Sequence, residues 1–476
     1  MKLHLTSLSV RVIILLSISL GLCATPYADT RLVKDIRPGD PTSLPNELTD
    51  VNGTLFFEAD DGVNGRELWK SDGTEAGTVM VKDINPSGNS YLGYLTNVNG
   101  TLFFIASDGL NGSELWKSDG TEAGTVMVKD INLSGSSQPK YLSNFNGTLF
   151  FEANDGPHGS ELWKSDGTEA GTVMVKDIDP IPLYHSRPSY LTNVNGTLFF
   201  AADEWPNGME LWKSDGTEAG TVMVKNICTT PMVHSDPEQL TPVGSTLFFT
   251  ADDGSTGREL WKSDGTEAGT VLVEDILWGA ELGSEPLNLT HFGLMVVFSA
   301  NDGFLTGREL WGSLLGFGAD LIKDINSPPG FPGNSSNPEF LTVIGGTLFF
   351  AATNSLVTGR ELWKSDGTES GTVIVKDIWI PGDSTPEYLT NVNGTLYFSA
   401  DNGINGKELW KSDGTPAATV MVKDINPIGG SNPDNLINVN GKLYFVSDNG
   451  THGRELWISE EDFPWIIFYP AFIKKK

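Results

Sequence analysis

The tripeptide Glu-Leu-Trp recurs nine times, ending at Trp69, Trp116, Trp163, Trp212, Trp261, Trp311, Trp363, Trp410 and Trp457, with spacings of 47, 47, 49, 49, 50, 52, 47 and 47. A repeat of 40 to 50 residues is the period of β-propeller blades, each a supersecondary unit that buries its faces only against its neighbours. Residues 45–84 show the unit most plainly: NELTDV, the pair Asn52-Gly53, TLFFEAD, the loop DGVNG, RELWKS, the turn DGTEAG and TVMVKDI. Four short β-rich runs between Gly, Asn and Asp clusters predict four strands, A to D. Asn-Gly between A and B is the strongest short hairpin signal, because a type I′ turn needs positive φ at both central residues. Nothing after the first thirty residues carries a sustained apolar period of 3.6, so the expectation is an all-β chain with almost no helix.

The ends of the repeat array bear on closure. Residues 31–36, RLVKDI, form a strand D with no A, B or C before it, whereas the last unit has A, B and C through Trp457 and no D. The first strand therefore completes the last blade as its outer strand, closing a ring of nine blades without an exposed sheet edge. Nine exceeds the usual four to eight, so two smaller propellers stand as the alternative. A second closure would fall at the degenerate sixth unit, where FGLMVVF and GSLLGFGAD replace NGTLFF and KSDGTEAGT.

Composition bounds the partners. With 31 Lys plus Arg against 61 Asp plus Glu, the net charge of −30 repels nucleic acid and anionic lipid. Lys2, Arg11 and the apolar run Val12 to Leu22, ending near Ala24 and Ala28, read as a secretory signal peptide over residues 1–28, the run being too short to span a bilayer. The expected product is an exported, acidic, secreted or cell-surface protein with no transmembrane span. Cys23 sits in a lipoprotein-like context from which Leu22 departs, and without it Cys228 is the sole thiol, so no internal disulfide forms. The 17-residue tail from Glu460, ending in Lys474, Lys475 and Lys476, reads either as a short anchoring signal or as a peptide that plugs the propeller.

The motif ELWKSDGT, complete in seven units, resembles the bacterial ELWxxDGT-repeat proteins, over the stretch from Arg31 to Trp457. Unit six departs from it after Trp311 and unit nine after Trp457. The resemblance implies an exported protein with a propeller-like fold and brings no defined activity.

Most repeated residues read as structural. Trp in strand C suits an interblade wedge. Pairing across the DGTEAG turn places Trp69 opposite Met80 and Glu67 opposite Lys82, an ion pair that would neutralise two half-buried charges; Lys holds that place in eight of nine strands D, Glu274 being the exception. Five Asn-Gly turns, at Asn52, Asn99, Asn146, Asn195 and Asn393, are also Asn-Gly-Thr sequons, read here as turn residues first.

No catalytic motif is spelled: HExxH, GxSxG, a phosphate-binding glycine loop and CxxC are all missing, and the histidines form no close pair with metal-ligand spacing. The chain reads as a binding or scaffold protein before an enzyme. A polysaccharide-acting enzyme with a carboxylate pair 5 to 10 Å apart and a purely structural surface component are the alternatives. The A–B and C–D turns are nearly invariant between units, whereas the B–C and D–A loops on the opposite face vary, and variable loops on a rigid scaffold are where binding resides. Departures from the unit cluster there: Tyr184, His185 and Arg187 in one D–A loop, Trp205 in a B–C loop, Cys228 and His234 in the next D–A loop, and Trp278 in the one after. Tyr184, His185, Arg187, Trp205, His234 and Trp278 are the candidate ligand-binding residues, with a polysaccharide or an extracellular protein as partner. Carboxylates and amides in B–C loops such as Asp60-Asp61-Gly62 and Asp401-Asn402-Gly403 also suit Ca²⁺, though the spacing is not that of an EF-hand.

Overall fold

The computed structural model describes residues 28–39, 42–181, 184–279, 282–303, 305–327, 333–354 and 358–461. Residues 1–27 and 462–476 lie outside them, and with them the readings of residues 1–28 as a signal peptide and of the tail from Glu460 as an anchor or plug. The described residues form nine four-stranded antiparallel sheets and no helix. Blade 1 consists of Asn46–Val51, Thr54–Asp60, Arg66–Ser71 and Val79–Lys82 as strands A to D. Strands A adjoin one another around the whole circle, including those of blades 1 and 9, so there is one ring and not two. The sixth unit contributes an ordinary blade: Leu287–Phe292, Met295–Asn301, Arg308–Leu314 and Ala319–Lys323.

Closure is as expected from the chain ends. Ala28–Lys34 pairs antiparallel with Arg454–Glu461 as strand D of blade 9, with Leu32 opposite Trp457 and Asp29 opposite Glu460. Thr30 and Ser459 share a buried hydroxyl contact of 2.9 Å, and Glu460 accepts from Arg31 at 3.0 Å.

Each strand B is buried on both faces, which is why TLFF runs apolar without alternation. In blade 1, Leu55, Phe57 and Ala59 pack with Val33, Leu456 and Ile458 of blade 9, while Phe56 packs with Leu102, Phe104 and Trp116 of blade 2. Trp69 lies in the seam with blade 9 and Trp116 in the seam with blade 1, each 6% exposed, so the tryptophans are interblade wedges. Asn52 and Gly53 have φ of 51° and 85°, the left-handed pair that the Asn-Gly turn requires.

The Glu–Lys ion pair does not form. Trp69 does face Met80, but the register slips by one residue immediately before it, so Lys82 falls opposite Leu68 and not Glu67. This β-bulge places the two charges apart. Lys82 Nζ instead donates to the Thr125 carbonyl of the next blade at 2.8 Å, and Lys34, Lys129, Lys176, Lys225, Lys376 and Lys423 reach the next blade in the same way. Six of these ammonium groups also stand over the next blade's Trp, 5.7 to 5.9 Å from the ring centroid. Glu274 follows the same logic with reversed polarity: its carboxylate accepts from the Ala319 N–H at 2.9 Å, in unit six, where LLGFGA replaces DGTEAG.

Glu67 has another task. Its carboxylate is fully buried and accepts from Ile84 N at 2.8 Å, Asn85 N at 3.4 Å and the Ser90 hydroxyl, all in the D–A loop that leaves its own blade. Ser90 in turn offers its carbonyl to Ser107 N at the end of strand B in blade 2. The arrangement recurs in every blade; Glu114, for example, takes Ile131 N at 3.0 Å, Ser137 N at 2.7 Å and Ser137 Oγ at 2.5 Å. Across the closure Glu455 takes Ile36 N at 3.2 Å and Ser43 Oγ at 2.5 Å. The ring of glutamates therefore fastens each D–A loop, and through its serine each blade to the next.

Candidate functional site

The residue after each clamp serine has positive φ, from Leu44 at 46° through Arg187 at 46° to Asn432 at 47°, and in eight of the nine loops proline follows it. This twist directs the side chain of Arg187 outward from the B–C and D–A face, where it is exposed. One residue before the serine, a side chain accepts the N–H that opens strand C: Asn89 from Arg66 at 3.0 Å, Asp383 from Arg360 at 2.7 Å. His185 and His234 occupy this same position. Their Nδ1 atoms accept from Ser160 N and Met209 N, each at 2.8 Å, which leaves Nε2 as the outward-facing nitrogen.

A recess of about 430 Å³ opens at the seam of blades 3 and 4, where Lys140, Glu152, His185 and Arg187 converge with Asn154 and Met209. Glu152 carries its chemistry. The equivalent Glu58 of blade 1 is neutralised within its own blade by Arg66 at 3.0 Å, but blade 3 has Ser160 in place of that arginine. Burial raises the Glu152 carboxyl above its usual range, against the pull of Lys140 and Arg187 from the strand and loop around it. The neighbouring Asp203 is likewise raised by burial and drawn down by His234 and Arg187. The result is a mixed acid and base recess whose charge is supplied by residues that differ from the repeat.

The other candidates lie outside this recess. Tyr184 is exposed beside it, Trp205 is 52% exposed with its N–H on Asp179 at 3.1 Å, and Trp278 stands 88% exposed at the blade 5 to 6 crossing. Cys228 is buried and holds a place in the clamp, its N–H reaching Glu210 at 3.3 Å. The B–C carboxylates curl onto their own backbone: Asp61 Oδ1 accepts from Val63 N and Asn64 N, each at 2.8 Å, and Oδ2 from the Asn64 amide at 2.7 Å. Among the described residues no group of three or more His, Cys, Asp or Glu is placed to hold a metal ion. No helix among them is long and apolar enough to cross a membrane.

The central channel adds a second surface that the sequence reading missed. Every strand A contains a bulge, and the second residue of each has positive φ: Glu47, Tyr94, Tyr141, Tyr190, Gln239, Asn288, Phe340, Tyr388 and Asn435, all between 52° and 60°. Left-handed backbone at a bulky residue costs on the order of 1 kcal/mol or more. The bulge turns these side chains toward the channel, and five of the nine are aromatic. The legible signal is a Tyr or Phe before Leu in five strands A, at Tyr94, Tyr141, Tyr190, Phe340 and Tyr388.

No protein-family model matches the sequence, and no curated protein matches it either. Among solved structures, similarity extends to a structure from a study of two prolyl endopeptidases, with a TM-score of 0.41 and 13% identity over 75% of this chain and 54% of that one. A puromycin hydrolase gives a TM-score of 0.37 and 13% identity over 75% and 58%, and its S511A mutant complexed with PGG gives 0.38 and 13% over 79% and 61%. The chain thus spans little more than half the length of each.

Proposed function

We propose that this chain is an exported or surface-displayed protein akin to the ELWxxDGT-repeat proteins, in which a rigid propeller presents variable loops to a polysaccharide or an extracellular protein. The observation that carries the reading is the recess between blades 3 and 4. There the repeat supplies the frame and non-repeat residues supply a buried carboxyl, two cations and an imidazole. Tyr184, Trp205, His234 and Trp278 extend the same face toward blades 4 to 6 as aromatic and hydrogen-bonding contacts.

A glycan and extracellular-protein array, run with and without Ca²⁺, tests this directly. For a ligand so identified, Trp205→Ala and Trp278→Ala are each expected to weaken binding by about 1–3 kcal/mol, the cost of losing an aromatic anchor. Arg187→Ala is expected to do the same through the recess. A ligand bound equally well by all three variants would place recognition elsewhere, and self-association without any ligand would favour the structural reading.

A further inference from the structure

We infer that the central channel holds a second binding site, for an uncharged oligosaccharide, built on the left-handed residues of strands A. This rests on the glycan half of the reading above and on none of its loop residues. Tyr94, Tyr141 and Tyr190 line one arc with ring centroids 6.0 and 6.3 Å apart, and Phe340 and Tyr388 line another at 6.2 Å. Between the arcs stand Gln239 and Asn288. The wall from Tyr141 to Phe340 encloses a recess of about 570 Å³, within the usual size range of small-ligand sites.

The aromatic side chains are 37 to 41% exposed, so each keeps ring surface free on the channel side. Among the described residues, no protein group bonds the hydroxyls of Tyr94, Tyr141, Tyr190 and Tyr388 or Asn288 Oδ1. Gln239 spends its amide on the wall, Nε2 donating to the Pro286 carbonyl at 3.0 Å and Oε1 accepting from Leu289 N at 3.3 Å, and Asn288 Nδ2 donates to the Pro338 carbonyl at 3.3 Å. Ring faces edged by phenol hydroxyls and the Asn288 carbonyl oxygen are therefore what match a pyranose, which offers an apolar C–H face edged by hydroxyls. The backbone is poorly available for a peptide strand. Thr96, Thr241, Thr342 and Thr390 donate first to the carbonyl of the left-handed residue two positions back, at 2.8 to 3.0 Å, with the leucine carbonyl one blade onward as a longer second acceptor at 3.2 to 3.3 Å, and Ser143 donates to the Leu191 carbonyl at 3.2 Å. Strand addition needs such carbonyls free. Glu238, Glu387 and Asp434 beside the collar are balanced by Arg258, Lys407 and Arg454, whereas Glu47 occupies the collar position of blade 1 itself and sets a carboxylate on the channel wall, which disfavours an anionic chain. Strain reinforces the assignment, because asparagine, which tolerates left-handed backbone best after glycine, occupies the same position at Asn288 and Asn435 while five blades retain a bulky ring.

Tyr190→Asn and Phe340→Asn make the decisive variants, since asparagine already sits at this backbone position and folding is expected to be retained or improved. The full chain is titrated calorimetrically with cellohexaose, chitohexaose, mannohexaose and maltohexaose, with oligogalacturonate and an unstructured hexapeptide as controls. At least one neutral hexasaccharide is expected to bind, and each variant to weaken it about tenfold or more at an unchanged or raised melting temperature. Leu133→Ala, at an exposed D–A loop position outside both sites, should leave that affinity intact. The inference is overturned if no neutral hexasaccharide binds, if only oligogalacturonate or the peptide binds, or if Arg187→Ala abolishes binding that both asparagine variants retain. This last result would leave the loop-face reading standing.

Discussion

At the residue scale, the clamp glutamates dominate the energetics. Each is a fully buried carboxyl whose oxygens take backbone N–H donors beside a serine hydroxyl, and replacing an oxygen that serves an N–H with an amide NH₂ sets two donors against each other. Glu114→Gln presents an NH₂ to donors and is expected to destabilise by about 1–3 kcal/mol, with Ser137→Ala milder; thermal melts of both variants check this. Burial also raises these carboxyls, to about 7 at Glu67, Glu161, Glu210, Glu309, Glu361 and Glu455 and to about 6 at Glu259. In the unfolded chain they titrate near 4.5, so the folded state binds more protons between the two values. Their contribution is full below about 4.5 and is lost as pH rises through 7. The turn aspartates Asp72, Asp119, Asp166 and Asp215 shift the other way, held below 3.8 first by their threonine hydroxyls, and their contribution is lost as pH falls through that lowered range. The melting temperature is therefore expected to be highest near pH 4, to fall as pH rises through 7 and to fall again as pH drops below about 3.8. A rise from pH 5 to pH 8 would contradict the clamp account.

At the scale of the element, the DGTEAGT turn explains its own sequence. Asp72 Oδ1 accepts from Thr74 N at 2.9 Å and its hydroxyl at 2.7 Å; that hydroxyl accepts from Gly77 N at 3.0 Å, and Thr78 donates to the Thr74 carbonyl at 2.7 Å. A Cβ on Gly77 would lie 2.1 Å from Asp72 Oδ1. Blade 8 carries Ala418 at this place, and there the N–H to Thr415 Oγ1 bond lengthens to 3.3 Å. Gly124→Ala is expected to destabilise and Ala418→Gly to stabilise, each by about 1 kcal/mol, a pair of opposite signs that calorimetry resolves. The Lys to Glu exchange at 274 and the altered unit-six turn belong together for a similar reason: Glu274→Lys would leave the Ala319 N–H unmet and is expected to lower the melting temperature. The bulge in strand D, at Val81 in blade 1, shows where element-level reading fails. It assigned Trp69 to Met80, but a one-residue slip moved Lys82 off Glu67, and such a slip has no signature in an alternating pattern.

Across the whole molecule, stability depends on closure, because an open ring exposes two sheet edges and two blade faces. Deleting residues 29–37 removes strand D of blade 9 and the Ile36 N–H that Glu455 accepts, and is expected to lower the melting temperature markedly and promote aggregation. Trp116→Ala within a seam is expected to cost about 3–5 kcal/mol, read as a lowered melting temperature. An unchanged melting temperature in the deletion would refute the single ring.

The blade count, the strand order within each blade, the closing strand and the Asn-Gly turns were all legible in the amino-acid sequence. They depend on local periodicity and turn chemistry, which a repeat writes out nine times. A serine 23 to 27 residues after the Glu-Leu-Trp glutamate in units one to eight, followed two residues later by proline in all but the first of them, was also written there, but its role was not. Hydrogen bonds between a strand and a loop that share no local pattern exist only once the blades are stacked. The same holds for the recess around Glu152 and for the aromatic collar. Both arise where bulges and ring geometry bring residues some 45 to 50 positions apart to one wall, and only tertiary packing decides which side chains then face solvent together.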